Sequence, residues 1–343
     1  MSAFDKSGSR LRLRTRSNSL KRRALTDLGF PEIGDSGAKS ATAGFGAANR
    51  YPLGLKAREK TRQTQRKSSH ISTGNHTMSS TFTDPRLATL DGFRVDIDPA
   101  RERADVILDR PPLNVISMPQ RDQLRLLFEA LEEDERVRVI VLRAVGEHFS
   151  SGGNIKGFLE ATPEVVSRLA WNIAAPARCA KPVIAANRGY CFGVGFELSL
   201  ACDFRVVSET CFYALPEQRL GQIPGSGGSA RLQKIIGITR TKDIVMRSRR
   251  IPAKQAYDWG IATECVPDGK LEAATDALVD ELRAFSPLAQ RTAKKLLNDT
   301  EDATLSLAIE LEGHCYSRLR QSDDFREGVE AFHAKRPARF KGT

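Results

Sequence analysis

The stretch GYCFGVGFELSLACD, residues 189–203, decides how the rest of the chain is read. A glycine turn, Gly193-Val194-Gly195, leads into an apolar run in which Phe196, Leu198, Leu200 and Ala201 take positions suited to a core. One acid, Glu197, stands among them. Burying an ionised carboxylate without a partner is strongly unfavourable, so this residue is either a defect or a proton carrier. Burial raises a carboxyl pKa, which suits a proton shuttle.

Working outward, the loop HFSSGGNIKGF (148–158) carries adjacent glycines at 152 and 153 and follows the strand-like run VRVIVLRAV (137–145). Glycine lets the backbone approach a ligand and present its N–H groups. The 193–195 turn does the same at a helix N-terminus, where the dipole favours developing negative charge. Two such loops facing each other would form an oxyanion hole; convergence is a matter of geometry that spacing alone does not give. Downstream, ALPEQRLGQIPGSGG (214–228) supplies Glu217 after a proline. With Glu217 and Glu197 both near a carbonyl, one deprotonates a water while the other holds or returns a proton.

The pattern around these loops alternates strand and helix. GFRVDID (92–98) and ADVILD (104–109) read as a strand pair, and Leu124, Leu127, Phe128 and Leu131 recur at helical spacing within 120–133. Strand 137–145, a helix-like region after Pro163, strand 182–189, a helix from Val194 and strand 203–208 continue the order, which defines an α/β protein with crossover connections. From Gly227 the material turns helical: SARLQKIIG, TRTKDIVMRS, AKQAYDWG, then three amphipathic stretches over 270–334, and strands mostly end. The apolar residues Leu305, Leu307, Ile309, Leu311 and Phe325 must cover either the chain's own core or a neighbouring subunit, and an oligomer is expected.

The 343 residues are 40% hydrophobic, enough for a substantial core, and carry a net charge of +11. Residues 1–77 hold 16 Lys and Arg against 5 Asp and Glu, a difference of +11, which leaves 37 of each sign in the remainder. The overall charge therefore says little about the partners of the core. The first 80 residues form a basic extension expected to be disordered. Three origins compete for it: translated upstream sequence before a true start at Met78, a transit peptide, or a nucleic-acid-binding arm. Six cysteines without C-x-x-C or metal spacing read as reduced thiols of a cytoplasmic protein. No run has the length of a membrane span, and no metal site is expected.

The ordered set SSGGNIK, GYCFGVGFELSLACD and PEQRLGQIPGSGG closely resembles the crotonase, or enoyl-CoA hydratase/isomerase, superfamily over roughly residues 91–343. The resemblance implies an α/β fold, a spiral core of repeated ββα turns over 81–285 with a helical C-terminal trimerisation region over 286–343. It implies an acyl-CoA thioester as substrate, no separate cofactor, and a homotrimer or a dimer of trimers. Carried over by motif, the oxyanion donors are the N–H groups of Gly153 and Val194, and the catalytic acids are Glu197 and Glu217. Ser151, Asn154 and Ile155 fall where the family contacts CoA, and the ending KRPARFKGT places Phe340 and Lys341 where they would reach it, in the same or a neighbouring subunit. Many hydratases carry glycine where Val194 stands and aspartate where Asn154 stands, which puts the acyl pocket's shape in question.

Within the superfamily, RSRRIPAKQAYDWGIATECVPDG (247–269) and the SSGGN loop look most similar to enzymes of aromatic and furan acid catabolism of the 2-oxoglutaroyl-CoA hydrolase type. That implies hydrolysis of a short polar oxo-acyl-CoA, with hydration of an enoyl-CoA as the alternative. A different class, an RNA-binding protein on the same scaffold, has only the basic extension in its favour, and nucleic acid is not the expected partner. A Ser-His-Asp hydrolase built on His148 with Ser150 or Ser226 lacks a G-x-S-x-G elbow.

Overall fold

The computed structural model describes residues 80–81 and 89–343. Its backbone is a seven-stranded sheet in the order β1 (Ser80–Thr81), β2 (Phe93–Asp98), β3 (Arg103–Leu108), β4 (Val139–Ala144), β5 (Val183–Asn187), β7 (Phe204–Ser208) and β10 (Glu264–Val266). The first two pairings are antiparallel and the rest parallel. A second sheet joins β6 (Tyr190–Phe192), β8 (Phe212–Ala214) and β9 (Ile251–Pro252). Successive turns of chain thus lay one strand in each sheet and then a helix: β5, β6 and α5 (Val194–Leu200), then β7, β8 and α6 (Gly228–Met246). This is the expected ββα order.

Parallel strands covered on both faces carry unbroken apolar runs. β4 and β5 do so: Val139, Ile140, Val141 and Leu142, and Val183, Ile184 and Ala185, are all fully buried. Helix α1 (Met118–Glu133) lays Leu124, Leu127, Phe128 and Leu131 into that core, each side chain contributing about 1.5–3 kcal/mol. It begins with a capping box: the Ser117 hydroxyl accepts the Gln120 N–H, and the Gln120 side chain accepts the Ser117 N–H.

Some expectations need correction. Ser80 lies inside the extension assigned to 1–80, yet Ser80 and Thr81 pair with Ile97 and Asp96; residues 1–79 lie outside the described residues, and with them the disordered-extension and basic-arm readings. The region after Pro163 is three short helices, α2 (Pro163–Ser167), α3 (Leu169–Ile173) and α4 (Ala175–Arg178). Strands mostly end at Gly227, as expected, but the short β9 and β10 follow, the latter beside β7 in the main sheet. They escaped notice because two or three residues carry no legible period. After α7 (Ala253–Asp258) the tail holds four helices rather than three: α8 (Leu271–Arg283), α9 (Pro287–Thr300), α10 (Leu305–Leu319) and α11 (Asp323–His333). The break between SARLQKIIG and TRTKDIVMRS is a kink in α6 at Gly237.

Helix α9 is fastened to the core through one lysine. Lys294 Nζ donates to Asp203 Oδ2 at 2.7 Å and to the Pro176 and Lys181 carbonyls, while Asp203 also accepts the Val183 N–H. The apolar tail residues divide: Leu311 is buried within the chain, whereas Leu305, Ile309 and Phe325 are exposed.

Candidate active site

The opening stretch places Glu197 in α5, only 2% exposed. Its Oε1 accepts two backbone N–H groups, from Ser226 at 2.7 Å and Gly228 at 3.1 Å. These belong to the glycine-rich turn that opens α6, so two motifs distant in sequence meet on one carboxylate. Burial pushes the Glu197 carboxyl up from its ordinary value, while the two N–H bonds and the more distant Arg121 charge act against it. The chain around it is tightly drawn. Gly193 has φ of +51°, a left-handed conformation that favours glycine, and a Cβ on Gly195 would stand 2.6 Å from the Ser150 Cβ.

The two glycine loops do converge. Phe192 N–H donates to the Ser150 carbonyl at 2.9 Å, and a Cβ on Gly152 would stand 4.0 Å from the Gly193 Cα. On the other side, Ile116 bridges Gly153: its N–H donates to the Gly152 carbonyl and its own carbonyl accepts the Asn154 N–H. That parallel pattern uses the neighbours of Gly153 and leaves the Gly153 N–H out of the ladder. Val194 is the first residue of α5, where the helix has no internal partner for its N–H.

Glu217 starts a short 3-10 turn, Glu217–Leu220. Its Oε1 lies 3.0 Å from where a Cβ on Gly193 would be, so the absent side chain makes its room. Its Oε2 is buried without a hydrogen-bond partner. Burial, with the Glu197 charge adding to it, pushes this carboxyl up to about 7.

The remaining residues spread out. Ser151 N–H donates to the Leu113 carbonyl, Asn154 Oδ1 accepts the Lys156 N–H as a local cap, and Ile155 is exposed beside the glycine loop. Phe340 packs against Gly328 of α11, and the Lys341 N–H donates to Asp324. The structure therefore groups these two with the terminal helix of their own chain. His148 belongs to no triad: it stacks on Tyr190 at 4.1 Å and its Nδ1 accepts the Tyr190 N–H. The Ser150 hydroxyl is committed to the Asn114 carbonyl.

Two residues were missed by sequence reasoning. Arg121 projects from α1 into the site, 3% exposed, with its Nη1 3.5 Å from the Ser226 Oγ. It occupies the same helical face as Leu124, Phe128 and Leu131, and a charge at a core position was the very signal that singled out Glu197. Ser226, whose N–H holds Glu197, was considered only as a nucleophile. A cavity of about 1010 Å³ shares Ser226 and Gly227 with this site and extends between α3, α6 and α9.

The model of the enoyl-CoA hydratase/isomerase family matches residues 103–343. A probable enoyl-CoA hydratase of Rhizobium meliloti (strain 1021) is 35% identical over 243 residues, covering 69% of this chain and 93% of that protein. Carnitinyl-CoA dehydratase of Proteus mirabilis is 33% identical over 246 residues, covering 69% and 94%. The crystal structure of enoyl-CoA hydratase from Bacillus anthracis superposes with a TM-score of 0.70 at 30% identity, covering 74% of this chain and 100% of that one. The chain belongs to the enoyl-CoA hydratase/isomerase, or crotonase, family, whose enzymes act on CoA thioesters.

Proposed function

We propose that this protein is an acyl-CoA thioester hydrolase acting on a short polar oxo-acyl group of the 2-oxoglutaroyl type. The observation that carries the reading is the lining of the site: the buried Glu197 and the half-buried Glu217 share it with a buried arginine and a serine, a setting that suits a polar acyl group. An apolar enoyl chain would leave that guanidinium buried against hydrocarbon.

In this mechanism the Gly153 and Val194 N–H groups hold the thioester oxygen. Glu197, its ionised form favoured by the Ser226 and Gly228 N–H bonds, takes a proton from water as the water oxygen bonds to the carbonyl carbon. The tetrahedral oxyanion collapses, the C–S bond breaks, and the leaving CoA thiolate takes a proton from the acid pair. Glu217, near neutrality, orients the water and relays that proton.

Hydration of a 2-enoyl-CoA is the second reading, favoured by the relatives, which are named as enoyl-CoA hydratases and a carnitinyl-CoA dehydratase. The same donors would then stabilise a thioester enolate. For quaternary structure we propose a trimer or a dimer of trimers, supported by the exposed apolar residues Leu305, Ile309 and Tyr316 of α10 and Phe332 of α11. Purified protein offered 2-oxoglutaroyl-CoA and crotonyl-CoA separately tests the reaction. Free thiol released from the first supports hydrolysis; loss of enoyl absorbance from the second, without thiol from either, overturns it.

A further inference from the structure

Arg121 differs from the other buried cations of this chain in what it is bonded to. Arg205 donates to the Ile261, Ser199 and Cys202 carbonyls, Lys181 to the Leu131 and Asp134 carbonyls, and Arg103 to Asp105 and Asp276. Each of these is satisfied by the protein. Among the described residues Arg121 has a single hydrogen bond, the 3.5 Å contact to the Ser226 Oγ, and its buried Nε has no partner. No salt bridge reaches it among the described residues. Glu197 and Glu217 act on it only as more distant charges, while burial drives its pKa down.

Its position is as informative as its bonding. Arg121 Nη2 lies 3.0 Å from where a Cβ on Gly153 would stand, and its Cζ sits 5.8 Å from the centre of the Phe158 ring. The guanidinium therefore lies between the glycine loop and the turn that holds Glu197. A guanidinium presents a planar fork of donors that matches a carboxylate with two parallel hydrogen bonds. The two glutamates are poor permanent partners, because acid–base work requires at least one of them to carry a proton for part of the cycle.

We propose that Arg121 is the receptor for a carboxylate on the acyl group, so that the substrates are CoA monothioesters of short dicarboxylic acids. This rests on the acyl-CoA reading above, and it assigns a binding role, distinct from the proton transfers of the glutamates. A carboxylate entering here supplies the missing counter-charge and engages the idle donors.

The test uses binding, so that it stands apart from which reaction occurs. Carba-CoA analogues, in which a methylene replaces the thioester sulfur, keep the carbonyl and can be neither hydrolysed nor hydrated. Two such saturated analogues of equal chain length, one ending in carboxylate and one in methyl, are titrated calorimetrically against wild type, Arg121→Gln and Arg121→Lys. Wild type is expected to prefer the carboxylate analogue by about 10- to 100-fold. Arg121→Gln is expected to erase that preference while changing affinity for the methyl analogue by less than about threefold, and Arg121→Lys to retain part of it. Equal affinity of wild type for the two analogues overturns the proposal even if a variant fails to fold, as does an equal loss on both in Arg121→Gln. Thiol release from thioesters is read separately, so a failure of the hydrolase reading leaves its own trace.

Discussion

The two glutamates of the site occupy contrasting ground. Glu197 is part of a helix in the core, and two backbone N–H groups from a different motif fix its carboxylate. Glu217 stands on a short 3-10 turn, with one oxygen buried and unpartnered. Both carboxyls are raised by burial, but the first is braced toward ionisation and the second is carried to about 7. Two like residues thus meet different surroundings, and the proposed mechanism gives them different duties: a fixed base, and an acid that exchanges a proton near neutral pH.

Substitution of each acid sharpens that contrast. Glu197→Gln is expected to lower kcat by roughly 10³–10⁴-fold with the fold retained, measured by steady-state kinetics and circular dichroism, because it removes the base and leaves the framework. A loss as small as tenfold would move the base elsewhere. Glu217→Gln is expected to cost less, about 100-fold, since positioning and relay are partly taken over by water.

The bracing itself can be attacked without touching either acid. A Cβ on Gly228 would stand 2.9 Å from the Glu197 Cγ and 3.1 Å from its Oε1. Gly228→Ala is therefore expected to displace the carboxylate and lower kcat by about tenfold, while the same substitution at Gly269, which has nothing within 4 Å of the added Cβ, leaves kcat unchanged.

The smallest expected effect is on stability. Glu217 has a folded-state pKa of about 7 against an ordinary 4.5, so the folded state binds its proton more tightly than the unfolded state does. The resulting cost to stability is absent below the unfolded value and complete above the folded one. Glu217→Gln should then stabilise the protein by about 1–3 kcal/mol at pH 8, with the gain shrinking as pH falls toward 5. Paired thermal melts at the two pH values would show it, and an equal shift at both would contradict the assignment.

Much of this architecture was legible in the sequence. The apolar runs 137–145 and 182–189 marked buried parallel strands, and Leu124, Leu127, Phe128 and Leu131 marked a helix, because long elements with a buried face leave a clear period. The two-residue β9 and three-residue β6, β8 and β10 are specified by their neighbours and left none. Within the site, Glu197 was visible as a charge in a core pattern. Its bond to the 226–228 turn was not, since it joins motifs 29 and 31 residues apart through backbone N–H groups that any residue type supplies. Arg121 carried the same signal as Glu197 and lacked only a glycine motif beside it to draw the eye. Asn154 Oδ1 caps the turn that follows it, and Phe340 and Lys341 pack on the terminal helix of their own chain, contacts that no motif in the sequence specifies.

The pH dependence of kcat/KM for thioester hydrolysis, measured on wild type and Glu217→Gln side by side, bears most directly on a pair of unlike acids sharing one water. Wild type is expected to show a limb near pH 7 that is missing from the variant. The same limb in both proteins would contradict it.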